Sequence, residues 1–330
     1  MTRKKTVVAA VTVLVIALSL YIILHHNPLA DPNQEVIKKI ISCVILVGIY
    51  FVFLKMYDKI VILPVELWQN RRLIWKLAKN DFKTRYAGSY LGIVWAFVQP
   101  IITVLLYWFV FTVALPQRAS SIRGDIELPY VLWLIAGIVP WFFFSEALTN
   151  GTNALLEYNY LVKKVVFKIS ILPIIKIISA IFVHGFFVLF ALILFACYGF
   201  YPDLYTLQVF YYSLCMVIFT LGLSYITCSI IVFFRDLGQI ISICLQVGIW
   251  ATPILWNLST LTASHPKLKF LFKLNPMNYI VEGYRNALID KIWFWETFYS
   301  TAYFWILTLC MFAFGALIFK RLKVHFADVL

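Results

Sequence analysis

The feature that most constrains the fold of this chain is a set of long apolar runs, of which residues 90–115 contain no charged side chain. A helix of roughly 20 apolar residues crosses the ~30 Å hydrocarbon core of a bilayer and satisfies its own backbone hydrogen bonds there. Only 13% of the 330 residues are charged, against about 25% in soluble domains. We therefore predict an all-α polytopic membrane protein. The eight predicted spans are residues 7–24, 36–56, 90–115, 130–148, 171–198, 207–233, 240–256 and 298–319.

The distribution of lysine and arginine predicts the orientation of these spans. An even number of spans places both termini on one side, and cytoplasmic segments collect Lys and Arg. The side of the amino terminus would hold 18 of these residues and the opposite side 9, with Lys176 inside a span. Both termini are therefore predicted to be cytoplasmic. The net charge of +13 belongs to segments that flank spans, which argues against nucleic-acid binding.

The first two spans form a predicted hairpin within residues 1–60, around a short outer loop at residues 25–35. The basic start followed by an apolar run also resembles a signal peptide. The run is long and no A-x-A cleavage site follows it, which favours a retained anchor.

Residues 61–88 carry an amphipathic pattern before the third span. Basic residues lie at i, i+4, i+7 and i+11, and apolar residues lie on the other side, which predicts an interfacial helix on the cytoplasmic surface. The basic positions are Arg72, Lys76, Lys79 and Lys83, and the apolar ones are Leu67, Ile74, Ala78 and Phe82. Arg71 and Asp81 interrupt the pattern, and a solvated charge run next to the membrane is the alternative.

Residues 257–297 are too long for a simple outer loop and mix apolar pieces with prolines and charges. Broken segments at membrane depth persist only when they are buried in protein or line a cavity. We predict a re-entrant helical hairpin after a break at Thr252 and Pro253, with a second break at Asn275 and Pro276. An ordinary extracytoplasmic loop is the alternative.

The chain offers little for catalysis. None of its 13 glycines precedes a lysine, so the phosphate-binding sequence G-x-x-x-x-G-K-[ST] is absent. The six cysteines show no CxxC spacing, and no paired carboxylates lie within a span. Of five histidines only His184 lies in a span, either as a functional polar group or as a satisfied core residue. We predict no catalytic residue, no metal site and no bound cofactor.

Several ordered motifs resemble those of the permease subunits of type-2 ABC transporters, in particular the exporters of O-antigen, teichoic acid and related lipid-linked glycans. The motif residues are Arg85, Tyr86, Ser89, Leu91, Gly92, Trp95 and Pro100, and the resemblance continues through residues 136–173, 233–240, 251–256 and 275–289. It covers roughly residues 66–330.

The resemblance implies a six-span permease domain at residues 89–330 that follows the amphipathic interface helix at 61–88. The hairpin at 1–60 is additional to the six spans of the family. Implied partners are a second copy of the chain, two copies of a separate ATPase that binds ATP and Mg, and membrane lipid. Each copy would contribute half of a pore.

The implied function is ATP-driven export of an undecaprenyl-diphosphate-linked polysaccharide, O-antigen or a similar glycan, across the bacterial cytoplasmic (inner) membrane. Export of teichoic acid or of a small lipophilic drug is an alternative. A membrane glycosyltransferase or acyltransferase is a further alternative, which would require carboxylate or histidine clusters at the membrane surface.

The resemblance also assigns residues to sites. A coupling helix at residues 152–167, capped by Thr152 or Asn153, would enter a groove on the ATPase; an interfacial turn is the alternative. Its contact residues would be Asn153, Leu156, Tyr160, Leu161, Lys163 and Lys164.

A cytoplasmic entrance for the lipid diphosphate would need cations, of which Arg85 is best placed because a guanidinium matches phosphate oxygens. Anchoring to lipid headgroups is the alternative for these cations. For the adjacent opposite charges Arg235 and Asp236, the alternative is a short turn near lipid. The entrance residues would be Lys79, Lys83, Arg85, Tyr86, Arg235 and Asp236.

Aromatic side chains would form a stacking track for the glycan, because the apolar C–H faces of pyranoses stack on aromatic rings. Lipid-facing or core packing is the alternative for each. The track would comprise Trp95, Tyr107, Trp108, Trp141, Phe142, Trp250 and Trp256. An outer gate would comprise Pro253, Pro276, Tyr279, Tyr284 and Arg285.

Overall fold

The computed structural model describes residues 2–24, 32–85, 88, 90–114, 118–120, 127–163, 168–258 and 271–330. Tyr86, Ser89, Lys164, the loop residues 25–31 and residues 259–270 of the outer segment therefore lie outside the described residues. The chain divides into two compact units, Met1–Val65 and Glu66–Leu330. This division falls a few residues after the predicted boundary at residue 60.

The first unit contains two long helices, α1 (Thr2–Leu24) and α2 (Pro32–Ile60). The hydroxyls of Thr12 and Tyr50 lie 2.7 Å apart, and Lys39 Nζ donates to the carbonyl oxygen of Ile23 at 3.2 Å. Thr12 in the middle of α1 thus lies against the second half of α2, and Ile23 at the end of α1 lies against the start of α2, so the helices pack antiparallel.

The second unit is built from helices and one short pair of strands. Helix α3 (Ile62–Gln69) contains the division between Val65 and Glu66. The helices that follow it are α4 (Arg71–Arg85), α5 (Trp95–Phe109), α6 (Tyr130–Glu157), α7 (Asn159–Val162), α8 (Leu172–Cys197), α9 (Gln208–Ile231), α10 (Leu237–Ala251), α11 (Pro276–Arg285), α12 (Phe298–Leu322) and α13 (Phe326–Val329). Shorter 3-10 turns at Gly92–Val94, Ile169–Ile171, Leu204–Leu207 and Lys323–His325 and π turns at Val110–Ala114 and Asn286–Asp290 adjoin them. The interface segment is thus two helices, α3 and α4.

Strands β1 (Arg118–Ser120) and β2 (Glu127–Pro129) pair antiparallel, with Ala119 opposite Leu128. They precede α6, in the connection that follows the first span of this unit. This pair of strands was not predicted from the sequence.

The all-α polytopic fold is confirmed by the lengths and compositions of the helices. Among the described residues, six apolar helical segments are long enough to cross a membrane. They are Thr6–Leu24, Gly92–Phe109, Tyr130–Glu157, Ile169–Cys197, Leu204–Ile231 and Phe298–Val329. The other two predicted spans correspond to the shorter apolar stretches Ser42–Lys55 and Leu237–Ala251.

Helix α6 forms the centre of the second unit, since it packs on both α8 and α9 and most of its side chains are buried. Glycines bring other helices close together. A Cβ atom on Gly315 of α12 would lie 2.7 Å from the carbonyl oxygen of Gly222 on α9, and one on Gly222 would lie 3.0 Å from the backbone nitrogen of Phe312. Small residues at these crossings let the backbones approach, as they commonly do between helices in membranes.

Helix α8 ends at a glycine with left-handed backbone geometry. Gly199 has a φ of 86°, its N–H donates to Ala196, and the N–H of Phe200 donates to the carbonyl of Phe195 at 2.9 Å. This is a Schellman ending, which satisfies carbonyl groups that have no partner within the helix.

Candidate functional site

A cleft of about 800 Å³ lies between α5, α6 and α8. Trp95 and Pro100 of α5, Phe142 of α6 and Phe187 of α8 contribute apolar walls, while Arg85 and Glu146 supply opposite charges to its lining. The rings of Phe142 and Phe187 are 6.1 Å apart. The cleft therefore combines aromatic walls with a region that carries both signs of charge.

The charges of the cleft belong to a larger group of ionisable side chains, which we call the charged cluster: Asp81, Arg85, Glu146, Glu157 and Lys176. The cluster joins α4, α6 and α8. Arg85 Nη1 donates to Glu146 at 2.5 Å, and its Nη2 donates to Asp81 at 3.2 Å. The guanidinium of Arg85, which was predicted to bind a phosphate, is thus paired with two carboxylates in the structure.

Asp81 is the most interconnected member of the charged cluster. Its Oδ1 accepts hydrogen bonds from Lys176 Nζ and from the Tyr158 hydroxyl, both at 2.6 Å, and its side chain is only 5% exposed. Burial alone raises the pKa of the Asp81 carboxyl, but the hydrogen bonds and the positive charge of Lys176 outweigh it, so the pKa lies below its ordinary value. Asp81, which interrupts the amphipathic pattern, is therefore part of the buried face of α4.

Lys176 connects the same carboxylate to the end of α6. Its Nζ also donates to Glu157 Oε2 at 2.5 Å and lies 4.8 Å from the centre of the Tyr158 ring. Its side chain is 6% exposed, although it belongs to the apolar span Ile169–Cys197. This pairing explains how a lysine is accommodated there, because a buried charge requires a partner.

His184 lines the cleft and joins three helices. Its Nε2 lies 3.0 Å from the Tyr284 hydroxyl of α11 and 3.2 Å from Ser213 Oγ of α9, and these two hydroxyls are 2.6 Å apart. Its Nδ1 is buried with no hydrogen-bond partner among the described residues. One ring nitrogen of His184 therefore has hydrogen-bond partners, and the other has none among the described residues. This arrangement lies between the two interpretations from the sequence, a functional polar group and a satisfied core residue.

The predicted aromatic track divides into two groups. Trp95 and Phe142 line the cleft. The others do not: Trp141 is buried against Phe144 and α10, where a Cβ on Gly248 would lie 2.8 Å from its ring. Tyr107 packs near Phe111, Trp108 and Trp250 are exposed, and Trp256 Nε1 donates to the Trp250 carbonyl and its ring packs on Phe272.

The predicted coupling helix differs from the structure at its start. Helix α6 continues to Glu157, so Thr152 and Asn153 lie inside it and neither is a cap; their side chains donate to Leu148 and Thr149. The separate short helix is α7, with residues 164–167 outside the described residues. Tyr160 is 56% exposed, Lys163 is exposed, and Leu156 and Leu161 are half-buried. A cap was predicted because threonine and asparagine favour that position, but packing extends the helix through them.

The other predicted entrance residues that the structure describes are on the surface. Lys79 and Lys83 are exposed on α4, away from its buried face. Arg235 and Asp236 are exposed in the tight turn between α9 and α10. Among the described entrance residues, Arg85 alone lines the cleft.

Arg285 lies at the predicted outer gate and holds the break after α10. Its Nη1 donates to the Pro253 carbonyl at 2.7 Å and its Nη2 to the Ile254 carbonyl at 3.0 Å. Its Nε donates to the Trp133 carbonyl at 3.4 Å, and its guanidinium carbon lies 3.3 Å from the centre of the Trp133 ring. Arginine thus satisfies carbonyls that the broken helix leaves without partners.

The start of α11 is tied to the same break. Asn275 caps α11 through a hydrogen bond from the Met277 N–H, and its Nδ2 donates to Thr252 Oγ1 at 2.8 Å. Pro276 occupies the first turn of α11, where no N–H is needed. Thr252 has extended backbone angles, so the predicted breaks at both positions are confirmed. The Tyr279 hydroxyl lies 3.0 Å from Thr301 Oγ1 on α12.

Among the site residues that were not predicted from the sequence are Asp81, Glu146, Glu157 and Ser213. A lysine within an apolar run was the available signal, since Lys176 must have a carboxylate partner somewhere. The sequence did not indicate which carboxylate, because Asp81 is far away along the chain.

Together these features describe a multi-pass membrane protein with a cleft between its helices, an arrangement suited to transport. Residues 72–289 match the family described as ABC-2 type transporter, and the chain belongs to this family. It is accordingly a transport subunit of an ABC transporter, a class that works with an ATPase partner.

Similar proteins carry a more specific name. The chain is 31% identical over 225 residues to the O-antigen export system permease protein RfbA of Myxococcus xanthus, covering 68% of this chain and 83% of that protein. It is 26% identical over 260 residues and 28% identical over 264 residues to two proteins of the same name from Klebsiella pneumoniae. Each alignment covers 77% of this chain and 93% of the relative.

Proposed function

We propose that this chain is the membrane-spanning subunit of an ABC transporter that exports O-antigen, or a similar lipid-linked polysaccharide, across the bacterial cytoplasmic membrane. The observation that carries the proposal is the similarity to O-antigen export permeases over 83–93% of their length. The substrate would be a glycan on undecaprenyl diphosphate. Both termini would be cytoplasmic.

The cleft supports a glycan as the transported molecule. Its volume of about 800 Å³ lies within the ~300–1,000 Å³ typical of ligand pockets, so it would hold a short segment of a polymer at one time. Trp95 and Phe142 would stack against sugar faces without a fixed hydrogen-bond register, which permits sliding. Arg85 would bind the diphosphate by exchanging Glu146 for phosphate oxygens.

ATP and Mg would be bound by a separate ATPase, since no phosphate-binding loop is present in the sequence. The exposed Tyr160, the half-buried Leu161 and the exposed Lys163 follow directly after the end of α6 and offer a small accessible surface. Such a surface fits a groove on a partner, as an apolar anchor with a basic rim. Two copies of the chain, with two ATPases, would complete the pore by twofold symmetry.

The proposal is tested by reconstituting the chain with its cognate ATPase in proteoliposomes that contain a fluorescent undecaprenyl-diphosphate-linked glycan. Movement of the glycan across the bilayer is measured by its accessibility to a quencher or a lectin. We expect translocation that requires ATP and stops with a hydrolysis-deficient ATPase. Translocation that continues without ATP hydrolysis, or its absence when the ATPase is assembled and active, would contradict the proposal.

A further inference from the structure

We propose that Asp81, Lys176 and Glu157 form an ionic joint that makes α4 move together with the carboxyl-terminal end of α6. They would act as positioning residues, carrying a displacement of the α7 surface to Arg85 at the cleft. The inference rests on the proposed function, because that function supplies the ATPase that would move α7.

The three residues of the joint connect three different helices. Asp81 is on α4, Lys176 on α8 and Glu157 at the last residue of α6, and both hydrogen bonds of Lys176 Nζ are 2.6 Å or shorter. Tyr158, next to the start of α7, adds a second connection to Asp81 at 2.6 Å. The segment that leads into α7 is therefore connected to α4 in two ways. Tyr158 bonds Asp81 directly, and Glu157 is connected to Asp81 through Lys176.

The contacts of Asp81 continue along α4 to the cleft. Asp81 also accepts from Arg85, one turn later on α4, and Arg85 donates to Glu146 in the cleft lining. Glu146 and Glu157 lie on the same helix, α6. A shift of α4 relative to α6 would have to break contacts at both ends of the charged cluster, so the cluster favours joint movement.

Stability alone explains the burial of these charges poorly. Two charges taken out of water lose hydration that their attraction only partly restores, and apolar replacements of similar size are often as stable. Elsewhere α4 packs on α8 through apolar contacts, such as Trp75 and Phe82 on Phe182, with ring centroids 5.4 Å apart in each case. The ion pairs fix the relative orientation and register of α4 and α8, whose contact the apolar side chains already stabilise.

The test compares the wild-type chain with the neutral double variant Asp81→Asn/Lys176→Met, each assembled with the ATPase in nanodiscs or proteoliposomes. The matched control is Asp203→Asn/Lys291→Met, which removes an ion pair of 2.8 Å between partly exposed side chains outside the charged cluster. Fluorophores are introduced by genetically encoded amino acids at the exposed positions Lys79 on α4 and Asn159 on α7.

We expect the wild-type distance between the labels to be the same in nucleotide-free and vanadate-trapped states. In the neutral double variant it should change with nucleotide. Glycan moved per ATP hydrolysed should fall roughly tenfold, within the ~5- to 150-fold range typical of coupling between sites, while hydrolysis continues. The control variant should behave as wild type.

A double variant with the wild-type ratio of transport to hydrolysis would overturn the proposal, as would a wild-type label distance that changes with nucleotide. If the double variant does not assemble, Glu157→Gln serves instead, because it leaves the Asp81–Lys176 pair intact and Glu157 is 49% exposed. If Glu157→Gln then moved as much glycan per ATP hydrolysed as the wild-type chain, the proposal would be overturned. Failure of the wild-type chain to transport the glycan would refute the proposed function, whereas the label distances would still test the joint.

Discussion

Replacement of Arg285 by methionine should destabilise the break between α10 and α11 strongly. Methionine approximates the length of the arginine stem but cannot donate to the Pro253 and Ile254 carbonyls, which lie 2.7 and 3.0 Å from the guanidinium. A buried carbonyl left without a partner costs about 1–3 kcal/mol, and a buried cation–π contact such as that with Trp133 contributes roughly 2 kcal/mol. Because these contributions overlap in one side chain, we expect a total loss of about 3–5 kcal/mol.

The loss is measurable as a decrease in Tm of the purified protein in nanodiscs, followed by tryptophan fluorescence. Because the entropy of unfolding is ~2.1 cal/mol/K per residue, 1 kcal/mol shifts the Tm of a 330-residue chain by ~1.5 °C, so Tm should fall by roughly 4–7 °C. The Tm of Arg285→Lys should lie between those of the wild-type protein and Arg285→Met, since lysine keeps the positive charge but lacks the planar guanidinium. The control Lys291→Met removes a partly exposed ion pair with Asp203 and should lower Tm by no more than about 1.5 °C. A Tm for Arg285→Met that equals the control's would refute the reasoning.

Variants at a helix crossing, on the α7 surface and in the cleft test other contacts. Gly315→Leu should lower stability by about 1–3 kcal/mol because a Cβ there would lie 2.7 Å from the Gly222 carbonyl oxygen. Gly185→Ala should not lower Tm, because beyond the adjacent backbone of its own helix the added Cβ meets nothing within 4 Å and alanine favours a helix over glycine; equal effects of the two variants would contradict this. Tyr160→Ala should reduce co-purification of the ATPase without lowering Tm, because the side chain is 56% exposed; undiminished ATPase binding would show that docking occurs elsewhere. Trp95→Ala should slow ATP-dependent glycan transport in proteoliposomes severalfold while ATPase binding persists, since one stacking contact is worth about 0.5–1.5 kcal/mol; the exposed Trp108→Ala, outside the cleft lining, is the control, and similar rates in both variants would count against the track.

Much of the fold could be predicted from the sequence because membrane spans depend on local composition. The runs at residues 130–148 and 298–319 each contain a helix, and Thr252 and Asn275 mark real helix ends, since proline constrains the residue before it. The end of α6 was placed wrongly because Thr152 and Asn153 suit caps as well as helix interiors that bond to the preceding turn.

The charged cluster could not be predicted because its contacts are set by packing between distant elements. Asp81 and Lys176 are 95 residues apart, and at the sequence level each is merely an exception to its local pattern. Likewise, Trp141 and Phe142 are neighbours in an aromatic run, but a helix turns about 100° per residue. One ring therefore faces the core and the other the cleft.

Helix α6 is continuous over its 28 residues, including Pro140, and at 1.5 Å per residue it is roughly 42 Å long. A stiff rod of that length behaves as a lever when it pivots near its middle. A tilt of about 5° would sweep each end by roughly 2 Å in opposite directions. Both ends of the helix would then move at the same time, so the space beside α6 would narrow at one face of the bilayer as it widens at the other.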